Sequence, residues 1–258
     1  MYYDLHTHIL PAVDDGAKSF DDTVEMARVA ASDGTEVILA TPHRKDVTRD
    51  HSVEHVEMLV AEINKYLTGQ SIGVKMVLGM ENHLDIDLPE EFSAGRALRM
   101  NGTRYALVEL PFFGHPNFVN DVLFQIQIQG ITPILAHPER IESIQNNPSQ
   151  LAEFVERGML SQITGGSITG HFGGGVKKFT HSLLKRGLVH IIASDCHFPK
   201  GPRSPLLTPS FEAAAQIVGR ERAMRMVVDT PKAVLEDQVV ATERPMSEPS
   251  ERVWWKFW

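Results

Sequence analysis

The chain has little of what marks several common protein classes. Its 258 residues include one cysteine, Cys196, so an internal disulfide is excluded and an oxidising compartment is not implied. Apolar runs are shorter than the roughly 20 residues that span a bilayer. The first residues are predicted to form a strand that contains polar side chains, so we expect no signal peptide there. The formal net charge of −8 argues against a nucleic-acid-binding surface. We expect a cytoplasmic globular protein.

Apolar, β-prone runs alternate with helical patterns along the chain. Strands are predicted at Tyr2–His6, Glu36–Ala40, Lys75–Gly79, Tyr105–Val108, Ile131–Ala136, Leu160–Ile163 and Val189–Ala193. Helices are predicted at Phe20–Asp33, His51–Leu67, Phe118–Gln129, Pro148–Arg157 and Val176–Arg186, with two or three more in Phe211–Glu236. Strands that alternate with helices of this length indicate a parallel sheet with crossover helices. Seven such strands predict an α/β barrel of the TIM kind, one strand short of eight.

The last segment has a different composition. Residues 241–258, "ATERPMSEPSERVWWKFW", lack hydrophobic periodicity and carry the three tryptophans within the final five positions. We interpret residues 1–240 as the barrel and residues 241–258 as a tail. Its aromatic end is too apolar to leave in water, so we expect it to dock on its own barrel or another subunit. Any membrane contact is expected to be indirect.

Polar side chains with metal-binding chemistry stand where the predicted strands end. His6 and His8 share one face of the first strand, and the turn after them can bring Asp14 or Asp15 back towards that face. Later strand ends supply His43, Glu81, Glu109, His137, Asp195 and His197. In a parallel barrel these ends form one face, where such enzymes place their chemistry. We therefore expect these side chains to converge.

This donor set indicates a cluster of divalent metal ions. Five histidines and four carboxylates, without a thiolate, suit Mn²⁺, Fe²⁺ or Zn²⁺. Nine ligands are too many for one ion and fit two or three. Three divalent ions would outweigh four carboxylates by about two positive charges, which could hold a phosphate group on an acidic chain. Such clusters activate water and clamp phosphate oxygens during in-line displacement.

The motifs around these residues resemble a known family. They are "DLHTHILPAVDDG", "ATPHR", "GMEN", "YALVEL", "ITPILAHPER", "QITGGSITGHFG" and "HIIASDCH", in the family's order and spacing over residues 2–198. The chain resembles PHP-domain phosphoesterases and, more narrowly, the manganese-dependent protein tyrosine phosphatases of bacterial capsular and exopolysaccharide operons, the CpsB/YwqE type. The resemblance implies a distorted TIM-like (β/α)7 barrel and hydrolysis of phosphotyrosine, with a bacterial tyrosine kinase as the expected partner.

The resemblance also implies which residues hold the metals, with Mn²⁺ first and Fe²⁺ or Zn²⁺ as alternatives. One ion would be held by His6, His8 and Asp195, a second by Glu81, Glu109 and His137, and a third by Asp15, His43 and His197, with Glu81 bridging the first two. Asp15 is preferred to Asp14 by the resemblance alone. Phosphate-facing arginines would be Arg140 and Arg203, with Lys200 as a rival to Arg203.

Other residues near these motifs have two interpretations. Arg44 could contact substrate or form a salt bridge, and His83 could line the pocket. His51 and His55, at helical spacing, are more typical of a solvated face. The glycine-rich run "GGSITGHFGGGVKK" lacks nucleotide-binding spacing and predicts a flexible turn at the barrel mouth, with contact to substrate as the alternative.

Cys196 is not expected to act as a nucleophile. Thiol-dependent tyrosine phosphatases need an arginine six positions after the cysteine, and that position is Pro202. Two rival functions remain open from the sequence. One is a PHP-family small-molecule phosphatase acting on a substrate such as histidinol phosphate, and the other is a metal-binding accessory module without turnover. The full set of nine ligands argues against the second. Oligomeric state is left open.

Overall fold

Parallel strands and helices alternate along the chain, as the sequence predicts. The computed structural model describes residues 1–242. Its strands are β1 (Tyr2–Thr7), β2 (Thr35–Ala40), β3 (Lys75–Leu78), β4 (Glu81–His83), β5 (Tyr105–Glu109), β6 (Thr132–Ala136), β7 (Leu160–Thr164) and β8 (Ile191–Ala193). Each strand pairs in parallel with the next inside two sheets, ordered β1-β2-β3 and β4-β5-β6-β7-β8.

Two isolated bridges join these sheets into a barrel. Thr7 pairs with Cys196 next to β8, and His43 pairs with Glu81 at the start of β4. Because Gly79 and Met80 alone separate β3 from β4, these two strands occupy one position in the barrel, where the pairing changes from β2 to β5. β3 corresponds to the predicted strand Lys75–Gly79, and β4 was not predicted. With β3 and β4 counted together, the barrel has seven strand positions within residues 1–242, which confirms the predicted (β/α)7 architecture.

The helices cover the outside of the barrel. Their bounds are α1 (Phe20–Ser32), α2 (Arg44–Asp50), α3 (Val53–Gly69), α4 (Leu88–Ser93), α5 (Val119–Ile128), α6 (Glu142–Asn146), α7 (Pro148–Glu156), α8 (Gly165–Thr169), α9 (Gly174–Arg186), α10 (Thr208–Val218), α11 (Arg220–Met224) and α12 (Thr230–Leu235). The Ser19 side chain caps α1 by accepting a hydrogen bond from the Asp22 amide. The long helices end close to their predicted bounds, whereas the short α2, α4, α6 and α8 were not predicted.

Apolar side chains fill the barrel and close its N-terminal end. The interior cluster includes Leu5, Leu39, Leu107, Ile134 and Ile191, with Val234 of α12 packed among them. At the same end, the Tyr105 hydroxyl donates to the Gln238 carbonyl at 2.7 Å, and the Arg104 amide donates to Asp237 at 2.7 Å. The opposite, C-terminal end is left for the polar side chains.

The division of the chain at residue 240 stays a prediction. The docking of the aromatic end, Trp254 to Trp258, also stays a prediction, because these residues lie outside the described range. Within residues 1–242, none of the helices has both the length and the apolar character needed to cross a membrane.

Candidate metal centre and active site

The strand ends bring the predicted polar side chains together around one pocket. The pocket has a volume of about 160 Å³ and is lined by His8, Asp15, His43, Glu81, Glu109, Phe112, His137, Arg140, Asp195, His197 and Arg203. His6 lies buried beside it, with its Nε2 atom 3.2 Å from the Nε2 atom of His8. The nine predicted ligands and both predicted arginines are therefore neighbours.

The first predicted trio, His6, His8 and Asp195, has the spacing of a shared coordination shell. The Nε2 atoms of His6 and His8 lie 3.8 and 3.6 Å from Asp195 Oδ1. Glu81 is equally close, with its oxygens 3.3 Å from His6 Nε2 and 3.5 Å from His8 Nε2. Four donors about 2.1 Å from one ion in tetrahedral geometry lie roughly 3.4 Å apart. These four side chains could each give one donor atom to the same divalent ion.

In the second predicted trio, Glu81, Glu109 and His137, the donor atoms are also close together. The Nε2 atom of His137 lies 2.8 Å from Glu81 Oε1 and 3.5 Å from Glu109 Oε1. Glu81 thus contacts both the first and the second trio, which is the arrangement expected of a bridging carboxylate. Its position differs from the prediction in one respect. Glu81 begins β4 instead of following β3, because the strand breaks at Gly79 and Met80.

The third predicted trio lies nearest to solvent. Asp15 Oδ1 is 3.5 Å from His43 Nε2 and 3.2 Å from His197 Nε2, and the Asp15 side chain is 60% exposed. His43 also reaches Glu81, with its Nδ1 atom 2.9 Å from Oε2. The three trios therefore form one continuous cluster rather than three separate sites.

Asp14 and Asp15 have different positions that the spacing of the sequence cannot separate. The Asp14 side chain is fully buried and accepts a hydrogen bond from His8 Nδ1 at 2.7 Å. It also accepts hydrogen bonds from the backbone amides of Gly16 and His43. Asp14 therefore orients His8 and leaves Nε2 directed at the cluster, which is the usual role of a carboxylate behind a metal-binding histidine. Asp15 alone of this pair faces the donor atoms of His43 and His197.

Gln162 has the same role towards His6 and was missed by the sequence reasoning. Its side-chain carbonyl accepts from His6 Nδ1 at 2.8 Å, while its amide donates to the Ile163 carbonyl at 2.8 Å. This fixes the tautomer of His6, so that the Nε2 lone pair faces His8 and Glu81. A polar residue inside the apolar run of β7 was the available signal.

The electrostatics of the cluster favour bound cations. Burial lowers the pKa of His8, but the Asp14 carboxylate and a hydrogen bond with Glu81 raise it to about 10. Burial likewise lowers the pKa of His43, but hydrogen bonds with Asp15 and Glu81 raise it to about 11. Burial raises the pKa of Glu81, but the surrounding imidazoles hold it well below its usual range. The negative charge of the carboxylates thus favours protonated imidazoles, and bound divalent ions would balance the same negative charge. Donor types and spacing also fit such ions.

Both predicted arginines bind the carboxylate of Asp195. Arg140 Nη1 donates to Oδ2 at 2.8 Å, and Arg203 Nη2 donates to Oδ1 at 2.7 Å. Burial raises the pKa of Asp195, but His6, Arg203 and the other cations nearby hold it below its usual value. Lys200, the rival to Arg203, is exposed, whereas Arg203 lines the pocket. Both guanidinium groups are therefore at the place where a bound anion would meet the cluster.

Three other candidates have structural contacts. Arg44 is buried and pairs with Asp85 and Glu91, each at 3.3 Å, so the salt-bridge interpretation applies. The Nδ1 atom of His83 donates to Glu109 Oε2 at 3.1 Å, which places His83 directly behind a predicted ligand. The third candidate is the pair His51 and His55, whose rings stack at 5.2 Å. His51 lies before α3, so the prediction that both are helical was wrong.

Cys196 is fully buried and does not line the pocket. It belongs to the same buried apolar cluster as Leu10 and Val13, and burial raises the pKa of its thiol well above the usual value. The thiolate is the reactive form of cysteine. The Cys196 thiol is therefore neither accessible to a substrate nor ionised, so it is not suited to act as a nucleophile.

Comparison with known proteins agrees with this geometry. The family described as capsular polysaccharide synthesis, CpsB/CapC, matches residues 2–236. The tyrosine-protein phosphatase YwqE of Bacillus subtilis is 38% identical over 194 residues, 75% of this chain and 76% of YwqE. The chain belongs to the CpsB/CapC family. This membership confirms the predicted resemblance.

Other relatives of the CpsB/CapC family match over nearly their full length. The tyrosine-protein phosphatase CpsB of Streptococcus pneumoniae is 28% identical, covering 92% of this chain and 99% of CpsB. A chain from the crystal structures of YwqE from Bacillus subtilis and CpsB from Streptococcus pneumoniae, described as metal-dependent tyrosine phosphatases, superimposes with a TM-score of 0.87. It is 32% identical and covers 95% of this chain and 98% of that one.

Gly16 tests whether the turn after β1 positions the first and third trios. A Cβ atom at Gly16 would overlap the carbonyl oxygen of His8 and lie 2.5 Å from the His8 Cβ. Gly16→Ala should therefore displace His8 and the Asp14–Asp15 turn, reduce bound metal, and lower the free energy of unfolding by about 1–3 kcal/mol. Elemental analysis of purified protein and thermal unfolding measure both effects.

Gly73→Ala is the matched control, because a Cβ atom there meets nothing within 4 Å. It should retain the metal content of the unmodified protein. Equal metal content in the Gly16 and Gly73 variants would contradict this role of the turn.

Proposed function

We propose that this chain is a protein tyrosine phosphatase that uses two or three divalent metal ions, Mn²⁺ first among them, with Fe²⁺ or Zn²⁺ as alternatives. The observation that carries the proposal is the convergence of nine nitrogen and oxygen donors with two arginines around one pocket. Membership of the CpsB/CapC family and the named phosphatase relatives support the same conclusion.

We assign the ligands in the three sets that the family resemblance implies. His6, His8 and Asp195 would hold one ion, Glu81, Glu109 and His137 a second, and Asp15, His43 and His197 a third. Glu81 would bridge, since its oxygens contact His6, His8, His43 and His137. Asp14 and Gln162 would keep the imidazoles of His8 and His6 turned towards the ions.

The reaction would combine metal chemistry with two fixed guanidinium groups. Divalent ions, when bound, supply Lewis acidity that polarises a phosphoryl oxygen and lowers the pKa of water. An arginine has five N–H donors, so Arg140 and Arg203 can each contact Asp195 and still donate to phosphoryl oxygens. Charge-assisted hydrogen bonds of this kind stabilise negative charge that develops in the transition state.

The leaving group makes a modest demand on the protein. The phenol of tyrosine has a pKa of about 10, so its oxygen departs more readily as an anion than the alkoxide of serine. A dedicated general acid is therefore less important for an aryl phosphate than for an alkyl phosphate. This agrees with a pocket whose titratable groups are assigned to metal binding.

The physiological substrate in this proposal is a phosphotyrosine protein. A bacterial tyrosine kinase that controls polysaccharide synthesis and export is the proposed partner, in line with the family's link to capsular polysaccharide synthesis. Such kinases use cytoplasmic ATP, so the proposed location is the cytoplasm. A small-molecule phosphatase is the alternative that the following experiment separates.

Turnover of three substrates with and without metal tests the proposal. A chelator should abolish hydrolysis of a phosphotyrosine peptide, and Mn²⁺ or a related ion should restore it. Histidinol phosphate and a nucleotide should be poorer substrates by kcat/KM. His6→Ala should lower the rate more than a hundredfold, about 3 kcal/mol in the barrier, whereas His51→Ala should have little effect. Undiminished turnover by the metal-free protein would contradict the metal mechanism, and a preference for histidinol phosphate would favour the alternative.

Arg140→Ala separates phosphate binding from metal binding. The variant should keep its metal content and lose roughly 2–4 kcal/mol of transition-state stabilisation, because a donor to the developing charge is removed. Arg157→Ala is the control. The Arg157 Cζ atom also lies over a phenylalanine ring, 5.9 Å from the centroid of Phe154, but Arg157 is at the C-terminal end of α7. Loss of a metal ion from the Arg140 variant would show that Arg140 supports the ligand shell instead.

Cys196→Ala tests the rival thiol mechanism. Because the thiol is buried and its pKa is raised, the variant should keep kcat within about tenfold, and alkylating reagents should modify the folded protein slowly. Kinetics and mass spectrometry measure the two effects. A larger loss of kcat with unchanged metal content and folding would support a nucleophilic cysteine.

A further inference from the structure

Three consecutive strand ends bring two phenylalanine rings against the guanidinium of Arg140. Phe112 follows β5, Arg140 follows β6, and Phe172 follows β7 and α8. The Arg140 Cζ atom lies 5.2 Å from the centroid of the Phe112 ring and 4.5 Å from that of Phe172. Both distances are within the range of cation–π interactions. We call Phe112 and Phe172 the aromatic pair.

Phe112 lies at the mouth of the pocket, and Phe172 adjoins the mouth through its contact with Arg140. Phe112 lines it and stacks on the ring of His137, with centroids 5.4 Å apart and an interplanar angle of 18°. Phe112 and Phe172 are both half-buried, so each keeps part of its apolar surface exposed beside charged groups. That placement costs hydrophobic free energy unless the surface is covered during function.

The glycine-rich run is the segment that holds Phe172 in place. Gly170 and Gly173 flank it with φ values of +100° and +94°, which favour glycine. The start of the run is tied to the Arg140 turn through buried Glu139, whose carboxyl group accepts from the Thr164 amide at 2.9 Å and the Ser167 hydroxyl at 2.6 Å. The run therefore consists of the short helix α8, a turn at residues 170–173 and the start of α9, and the flexibility of the turn stays a prediction.

We infer that the aromatic pair binds the aryl ring of the substrate, so that Phe112 and Phe172 determine the preference for aryl over alkyl phosphates. The inference rests on the proposed phosphatase function. A single ester oxygen separates phosphorus from the ring in phosphotyrosine. A phosphate bound by Arg140 therefore places its aryl ring beside the two rings that flank Arg140. An alkyl phosphate has no flat face to offer them.

Two non-hydrolysable ligands separate ring binding from phosphate binding. Calorimetry on the manganese-loaded, full-length protein compares phenylphosphonate, which has the aryl ring, with methylphosphonate, which lacks it. The unmodified protein should bind phenylphosphonate more tightly. Phe172→Ala should reduce the ratio of the two affinities by about three- to tenfold, as expected for one aromatic contact, and change methylphosphonate affinity little. Phe112→Leu should act in the same direction, and provides a second variant if Phe172→Ala folds poorly.

Phe124→Ala is the matched control, because Phe124 is an exposed phenylalanine on α5, away from the residues that line the pocket. It should leave both affinities unchanged. Equal weakening of both ligands in the Phe172 and Phe112 variants would overturn the inference, since the rings would then only position Arg140. Unchanged affinities would overturn it as well.

Hydrolysis of a phosphotyrosine peptide, measured on the same preparations, keeps the two proposals apart. If the unmodified protein hydrolyses the peptide but binds both phosphonates equally, the aryl inference fails and the phosphatase function stands. If it binds phenylphosphonate preferentially without hydrolysing the peptide in the presence of Mn²⁺, the phosphatase function fails and the aryl site stands.

Discussion

Two buried carboxylates, Glu81 and Asp195, set the arrangement of the charged groups around them. Four imidazoles contact Glu81, and two guanidinium groups contact Asp195. A buried carboxylate is costly unless cations and hydrogen bonds compensate it. Proton binding to His8 and His43 is favoured for the same reason, and divalent ions would provide stronger compensation. The proposed binding of metal ions and of phosphate would thus follow from one electrostatic constraint.

The barrel makes this concentration of charge possible. Apolar side chains close the N-terminal end, and the parallel strands all end at the other, so donors that are far apart in sequence become neighbours. This is why the convergence of the proposed ligands could be predicted from the sequence without coordinates. All except Asp15, which lies in the turn after β1, were histidines or carboxylates at the ends of apolar runs, and the direction of parallel strands determines where those ends meet.

Other features depend on geometry that the sequence does not encode locally. Asp14 and Asp15 are adjacent, and the conformation of one turn decides which orients His8 and which faces the cluster. Gln162 was missed because its partner, His6, is 156 positions away. The break at Gly79 and Met80 involves too few residues to change the hydrophobic pattern. The contact between Arg140 and Phe172 joins two loops whose paths depend on the packing of α8.

Anomalous diffraction from crystals of the manganese-loaded protein would show whether the pocket holds the proposed ions. Two or three manganese peaks are expected inside the pocket, each within coordination distance of one trio. The trios are His6, His8 and Asp195, then Glu81, Glu109 and His137, then Asp15, His43 and His197. Glu81 should contact two of the peaks, and Asp14 and Gln162 none. A single peak, or manganese bound only outside the pocket, would show that the nine side chains do not form the proposed metal centre.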